Sequence, residues 1–451
     1  MPVFFVILFV LLNVSPVCGL DLPVSKISDD SLVRLKIKDS WMLETSDRVL
    51  SMNARIETLE SGERVEIRTR EGREEFMVTI SRELTRDTNT ASRIGTGQFP
   101  GWIQGSWMLT RRKDTGAATQ IKIFLRSDQQ TFIQFHPFNS DKCFLDAVVY
   151  GGYIAHSIPV AVPFERLYTM PLNDILRLVE NKFPMRYFQP DISNYRETRA
   201  FVTQVRSRLT GLRFVDDGAV NENGRFVFIE TLQPQPANLQ GFNCSGFTKW
   251  LIDGILRPVT GERLMITPLK APFGERGSSF TANYEQKKDI FFGLDWIRNL
   301  AAAANGTLRS SSYRSLDEFE IRKNDFAHIL VNERGTLVVN SYPGFLTDAG
   351  YAVEGLHPLL YTLAIDEPYS FYLAAANREM DIANEISPRG TSRLRQYYHV
   401  AALVPYFDEN GFFKIVVFES AAETTFIGFR TRHLGSHVNL VKIPVSPTFD
   451  P

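Results

Sequence analysis

The sequence predicts an α+β protein in two parts, an N-terminal antiparallel β domain followed by an α+β domain. Three observations carry this. Short alternating segments crowd residues 28–165, helix and strand patterns interleave after about residue 166, and the length of 451 residues allows two or three domains. Charged residues make up 22% and the formal net charge is −1, which is ordinary globular usage without the basic surplus of a nucleic-acid binder. Phe is in excess at 34 residues, enough to fill a large core or line an apolar groove.

The first elements belong to export rather than to the fold. Val3 to Leu12 is an unbroken apolar run, too short for a bilayer span of about 20 residues. Val17-Cys18-Gly19 then supplies small residues for cleavage after Gly19, so residues 1–19 read as a signal peptide. No Lys or Arg precedes the run, and Ser15-Pro16-Val17 makes a poor lipobox for lipidation at Cys18. The expectation is an exported protein of a bacterial periplasm or cell envelope with no membrane span.

Residues 28–165 are read as the β domain. Ser31–Ile37, Arg64–Arg70, Glu75–Arg82, Ser106–Lys113, Gln120–Arg126 and Thr131–Phe138 alternate or are rich in β-branched and aromatic residues. Turn clusters such as Ser61-Gly62 and Asp114-Thr115-Gly116 separate them, which suggests a barrel or sandwich. His136 and His156 lie in strand-like runs and read as packed or surface histidines. From residue 166 to 451 the pattern changes. Asn173–Asn181 and Ile192–Leu209 read as helices, and Gly224–Glu230 as a strand.

Cysteine is sparse: Cys18, Cys143 and Cys244. A bridge from Cys143 to Cys244 is open to the exported chain, and so is a free Cys244 kept for its chemistry. The second reading has local support. Gly241-Phe242-Asn243-Cys244-Ser245-Gly246-Phe247 follows a Pro-rich loop, and Phe247, Leu251, Ile252 and Ile255 then mark one face of a helix. Cys244 falls at its first turn, where the helix dipole and free N–H groups favour thiolate and can hold an oxyanion. The small Ser245 and Gly246 leave room for a substrate backbone.

A thiolate nucleophile needs a base. His399 opens the strand pattern Tyr398–Phe407, Asp408-Glu409-Asn410-Gly411 reads as a hairpin turn, and Phe413–Ser420 returns. Counting back from the turn brings Glu419 level with His399, where a carboxylate orients an imidazole. His328, opening its own strand with a return ending at Asn340, is the alternative base with Asn340 as its orienter.

This set resembles the NlpC-type papain-like cysteine peptidases. Asn243-Cys244-Ser245-Gly246-Phe247 matches their Asp-Cys-Ser-Gly-Phe/Leu motif with Asn for Asp. His399-Val400-Ala401 matches the histidine strand, Glu419 falls at the third polar position, and Pro368–Leu373 looks like the strand that precedes the histidine. The Cys244-to-His399 gap of 155 residues requires a large insertion. The resemblance implies a papain-like catalytic domain, a Cys244–His399–Glu419 triad, no cofactor or metal, and peptidoglycan stem peptides or another envelope peptide as substrate. The alternative is an inactive binding or structural protein that keeps the fold.

Weaker signals remain. His433 and His437 have a spacing that suits zinc on a helix, but Gly435 between them favours loop and strand, and the two read as surface histidines. Asp295 reads as the cap of a helix running into Ala301–Ala304, with Trp296 and Arg298 as packing or a groove wall. Asn243-Cys244-Ser245 and Asn305-Gly306-Thr307 fit the glycosylation sequon. No Walker loop and no Gly-x-Ser-x-Gly elbow occurs.

Overall fold

A computed structural model describes residues 21–87, 93–182, 184–276, 289–309, 315–323, 328–331, 337–342, 344–347, 349–380 and 394–451. The expected signal peptide and Cys18 lie outside these residues. The chain is mixed α+β with extensive antiparallel sheet. It divides into two compact units, one comprising the chain up to Asp128 with Phe135–Cys143 and Val162–Leu176, the other Gln129–Gln134, Phe144–Ala161 and Arg177–Pro451. No helix among the described residues is long and apolar enough to cross a membrane.

In the first unit, α1 (Ser31–Ile37) is followed by β1 (Arg55–Thr58), β2 (Arg64–Glu71), β3 (Glu75–Arg82), β4 (Trp107–Arg112) and β5 (Ala118–Ile123). Each strand pairs antiparallel with the next, from Arg55↔Ile67 through Trp107↔Ile123. Alternation buries Val65 and Ile67 of β2 and Phe76, Val78 and Ile80 of β3. Ser31–Ile37 is a correction: it is a helix, not a strand. Its alternating sequence is overruled by Arg34, which is 1% exposed. That side chain reaches back one helical turn to Asp30 at 2.7 Å and donates to the carbonyls of Tyr168 and Met170.

The second unit contains α2 (Arg196–Arg208), entered through a 3-10 turn at Ile192–Tyr195, and the small hairpin β6 (Gly218–Val220) and β7 (Phe226–Phe228). Then come α3 (Cys244–Thr260), α4 (Phe292–Leu308), the paired strands β8 (His328–Val331) and β9 (Leu337–Tyr342), β10 (Tyr351–Ala352) and α5 (Leu356–Asp366). The chain ends with β11 (Ser370–Met380), β12 (Leu394–Phe407), β13 (Phe413–Glu419), β14 (Ala422–Thr425), α6 (Phe426–Arg432) and β15 (His437–Pro444).

Six strands form one antiparallel sheet in the order β10-β15-β11-β12-β13-β14. Leu356, Leu359, Leu360 and Leu363 of α5 pack with Tyr372, Ala374, Ala401, Leu403, Val417 and Leu440 of the sheet as its core. Helices α3 and α4 both pack on β12. The turn between β12 and β13 is fixed by Asp408, whose carboxylate accepts from the amides of Asn410 and Phe412, and by Gly411 at φ 74°.

Candidate active site

Cys244 is the first residue of α3, and its position is fixed from the loop before it. The Gln235 amide accepts from Gly241 N–H at 2.9 Å and donates to the carbonyls of Val227 and Gly241, so the loop is clamped to β7. Asn243 caps the helix, its Oδ1 accepting from Gly246 N–H at 2.7 Å, while its own N–H donates to Gly218 O at 2.9 Å. Trp296 of α4 donates its indole N–H to Ser245 O at 2.9 Å. One turn further on, the buried pair Lys249–Asp253 closes at 2.6 Å, and Asp253 accepts from Leu264 N–H.

Two expectations about this segment change. Ser245 and Gly246 are buried, and a Cβ at Gly246 would run into the carbonyl of Gly218 and into Ala219. The small residues serve the close approach of α3 to β6 rather than the entry of a substrate. Cys143 and Cys244 are both free thiols, so the bridge is not formed.

Strand β12 carries His399 opposite Ala376, and the next register point pairs Tyr397 with Asn377. Tyr398 is thus an extra residue, a β-bulge, which turns its side chain toward that of His399. The β12–β13 register pairs Ala402 with Phe418, and its continuation sets Glu419 across from Ala401. Glu419 is therefore diagonal to His399 on the same face rather than level with it. The contact is made all the same: His399 Nε2 lies 2.8 Å from Glu419 Oε2. Thr424 and Arg432 both donate to Glu419 Oε1.

The Cys244 thiol and the His399 imidazole shift each other's protonation, each favouring the charged form of the other. Burial pushes the thiol up, but the hydrogen bond and charge of His399, the Val400 N–H and the Ser245 hydroxyl together bring it below the ordinary thiol value. Burial pulls the imidazole down, yet its bonds to Cys244 and Glu419 raise it to about 9. Burial also works against the Glu419 carboxylate, and His399, Thr424 and Arg432 hold it at about 2. The three directions favour the same charged set: thiolate, imidazolium, carboxylate.

His328 and Asn340 lie on β8 and β9, which belong to a different sheet from β12, and their side chains fall outside the described residues. Asp295 does not cap α4: Phe291 does, and Asp295 is buried in the first turn, accepting from Phe273 N–H and pairing with Arg276. Asn305 is buried and bonded to the carbonyls of Ala301 and Lys442, so it offers no free amide for a glycan.

His433 is the residue that sequence reasoning missed. It is no surface histidine: it follows α6, is buried, and stacks on His399 with ring centroids 5.0 Å apart and planes 17° from parallel. Burial, with the nearby charge of His399, lowers it to about 4. His437 opens β15 and is half-buried. The ligating atoms of His399, Glu419 and His433 lie within 4.8 Å of one another, the set among the described residues closest to a cation site. Two features oppose a metal. The in-plane lone pairs of near-parallel rings do not converge on one point, and Arg432 already neutralises Glu419.

A family model described as a domain of unknown function (DUF8515) matches residues 23–187, which leaves Cys244, His399 and Glu419 outside the match. No curated protein and no solved structure matches the chain.

Proposed function

We propose that the chain is an exported papain-like cysteine hydrolase that cleaves amide bonds of cell-envelope peptides, with peptidoglycan stem peptides as the substrate class. The observation that carries the reading is the His399 imidazole, hydrogen-bonded to the Glu419 carboxylate and electrostatically coupled to the Cys244 thiol at the start of a capped helix.

In this reading the Cys244 thiolate attacks the carbonyl carbon of the scissile amide, and the oxygen takes up the negative charge beside the first N–H groups of α3. The His399 imidazolium gives its proton to the departing nitrogen, the C–N bond breaks, and a thioester remains. Neutral His399 then takes a proton from water, whose oxygen attacks the thioester. The acid leaves, and the thiolate–imidazolium pair is restored. Glu419 keeps the imidazole in its orientation throughout and stabilises its charge.

The test is incubation of the purified chain with muropeptides, followed by mass spectrometry. A new amine and a new carboxyl end are expected, and both are lost in Cys244→Ala. Intact muropeptides together with a fast-reacting Cys244 would overturn the substrate class. A Cys244 no more reactive than an ordinary thiol would overturn the hydrolase reading itself.

A further inference from the structure

The ring of His433 takes no part in the steps above, yet it is held as firmly as the groups that do. One face lies on His399 and Phe429 packs at 4.6 Å from its centroid, tilted by 51°. Its Nδ1 meets the Tyr398 hydroxyl at 2.6 Å, and that hydroxyl meets Ser436 Oγ at 2.9 Å. Its Nε2 is buried without a partner. The bulge at Tyr398 makes this possible, because a regular strand would send Tyr398 and His399 to opposite faces. Three separate pieces of chain, β12, α6 and the turn before β15, thus converge on one imidazole that touches neither Cys244 nor Glu419 by any hydrogen bond.

Resting on the triad reading, we infer that His433 is a positioning residue, a neutral plate that holds the plane of the His399 imidazole so that the ring stays set between Glu419 and Cys244. The need for a plate is geometric. A hydrogen bond at Nε2 fixes one atom of the ring but leaves the plane free to swing about that atom, and a swing changes how the ring faces the Cys244 sulfur. A flat neighbour removes the swing. The plate must also be uncharged. The groups facing His433 are His399 and Tyr398 from β12, Arg378 from β11, Glu419 from β13 and Arg432 beside it. Three of these are cationic when His399 is protonated, so a further proton on His433 would repel the imidazolium. The buried, unpartnered Nε2 is the mark of a ring kept neutral.

The experiment is the pH dependence of Cys244 alkylation by iodoacetamide on the full chain, which needs no knowledge of the substrate. His433→Ala should lower the rate at neutral pH by about tenfold, as a small misplacement of a catalytic group does, and shift the inflection upward. His433→Phe, which restores a flat neutral ring, should recover most of both. His399→Ala should shift the inflection upward whatever His433 does. If His433→Ala keeps the native rate and inflection while His399→Ala moves them, the positioning role is overturned and the triad stands. A phenylalanine variant as slow as the alanine one also overturns it, since the plate would then not be what matters. If His399→Ala moves nothing, the triad reading fails and takes the inference with it. Should the alanine variant lose its native near-ultraviolet circular dichroism, His433→Asn replaces it: a slow thiol is expected, and a native one overturns the inference.

Discussion

At Cys244, burial and hydrogen bonding pull in opposite directions, and the outcome decides whether the sulfur is a nucleophile. His399, Val400 N–H and Ser245 outweigh burial there, whereas Cys143, at the start of a strand and fully buried, is pushed up to about 11. Iodoacetamide at neutral pH should therefore label Cys244 well before Cys143, as peptide mass spectrometry would show. Cys244→Ser should be inactive, because a hydroxyl stays protonated where this thiol ionises. The proton on His399 sets the other limit. Its value is raised to about 9, so hydrolysis should fall as pH rises through about 9, where the imidazolium that protonates the leaving nitrogen is lost. Glu419→Gln removes the anion but leaves the Arg432 cation, so it should move that alkaline limb to lower pH. An unmoved limb would show that Glu419 does not hold the imidazolium.

At the scale of the element, α3 is placed by contacts that can be removed one at a time. Asn243→Ala deletes the cap and should cost about 1 kcal/mol. Gly246→Ala forces α3 away from β6 and should cost about 1–3 kcal/mol in urea unfolding, with slower Cys244 alkylation because the helix start moves. Lys249→Met alone should cost about 3–5 kcal/mol by stranding Asp253, and Lys249→Met with Asp253→Leu should regain most of it. These elements differ in how far they could be read from sequence. The helix at Cys244 shows in the spacing of Phe247, Leu251 and Ile255, and the β12–β13 hairpin shows in its turn residues, because both signals are local. Ser31–Ile37 was misleading, since a single buried arginine with distant carbonyl partners overrides its alternation. His433 was illegible for a related reason. What buries it is the return of α6 onto a bulge in β12, and neither the bulge nor the stacking leaves a mark in the spacing of His433 and His437.

At the scale of the whole molecule, the same histidines tie stability to pH in opposite senses. His357, packed among Tyr150, Phe413 and Phe426, is lowered by burial to about 3, and His433 to about 4, both from an ordinary 6.5. Below about pH 6.5 the unfolded chain takes up protons on these two residues that the folded chain refuses, so stability should fall as pH drops towards 4 and 3. Glu419 adds to the acid loss lower down, between its ordinary 4.5 and the folded value of about 2. His399 works the other way. Its folded value lies above its ordinary one, so its contribution is complete below about 6.5 and is lost as pH rises through about 9. Cys244 offsets this loss, because a thiol lowered from its ordinary value gains stability as pH rises over the same range. Stability, followed by urea midpoint, should therefore climb from acid to about pH 6.5 and change little from there to about 9. His357→Phe should flatten the acid side by keeping an aromatic ring in place without a titrating group, while leaving the alkaline side as it was. A stability curve that is level from about pH 3 to 6.5 would mean that His357 and His433 titrate alike in the folded and unfolded chains. The neutral His433 would then lose its physical basis.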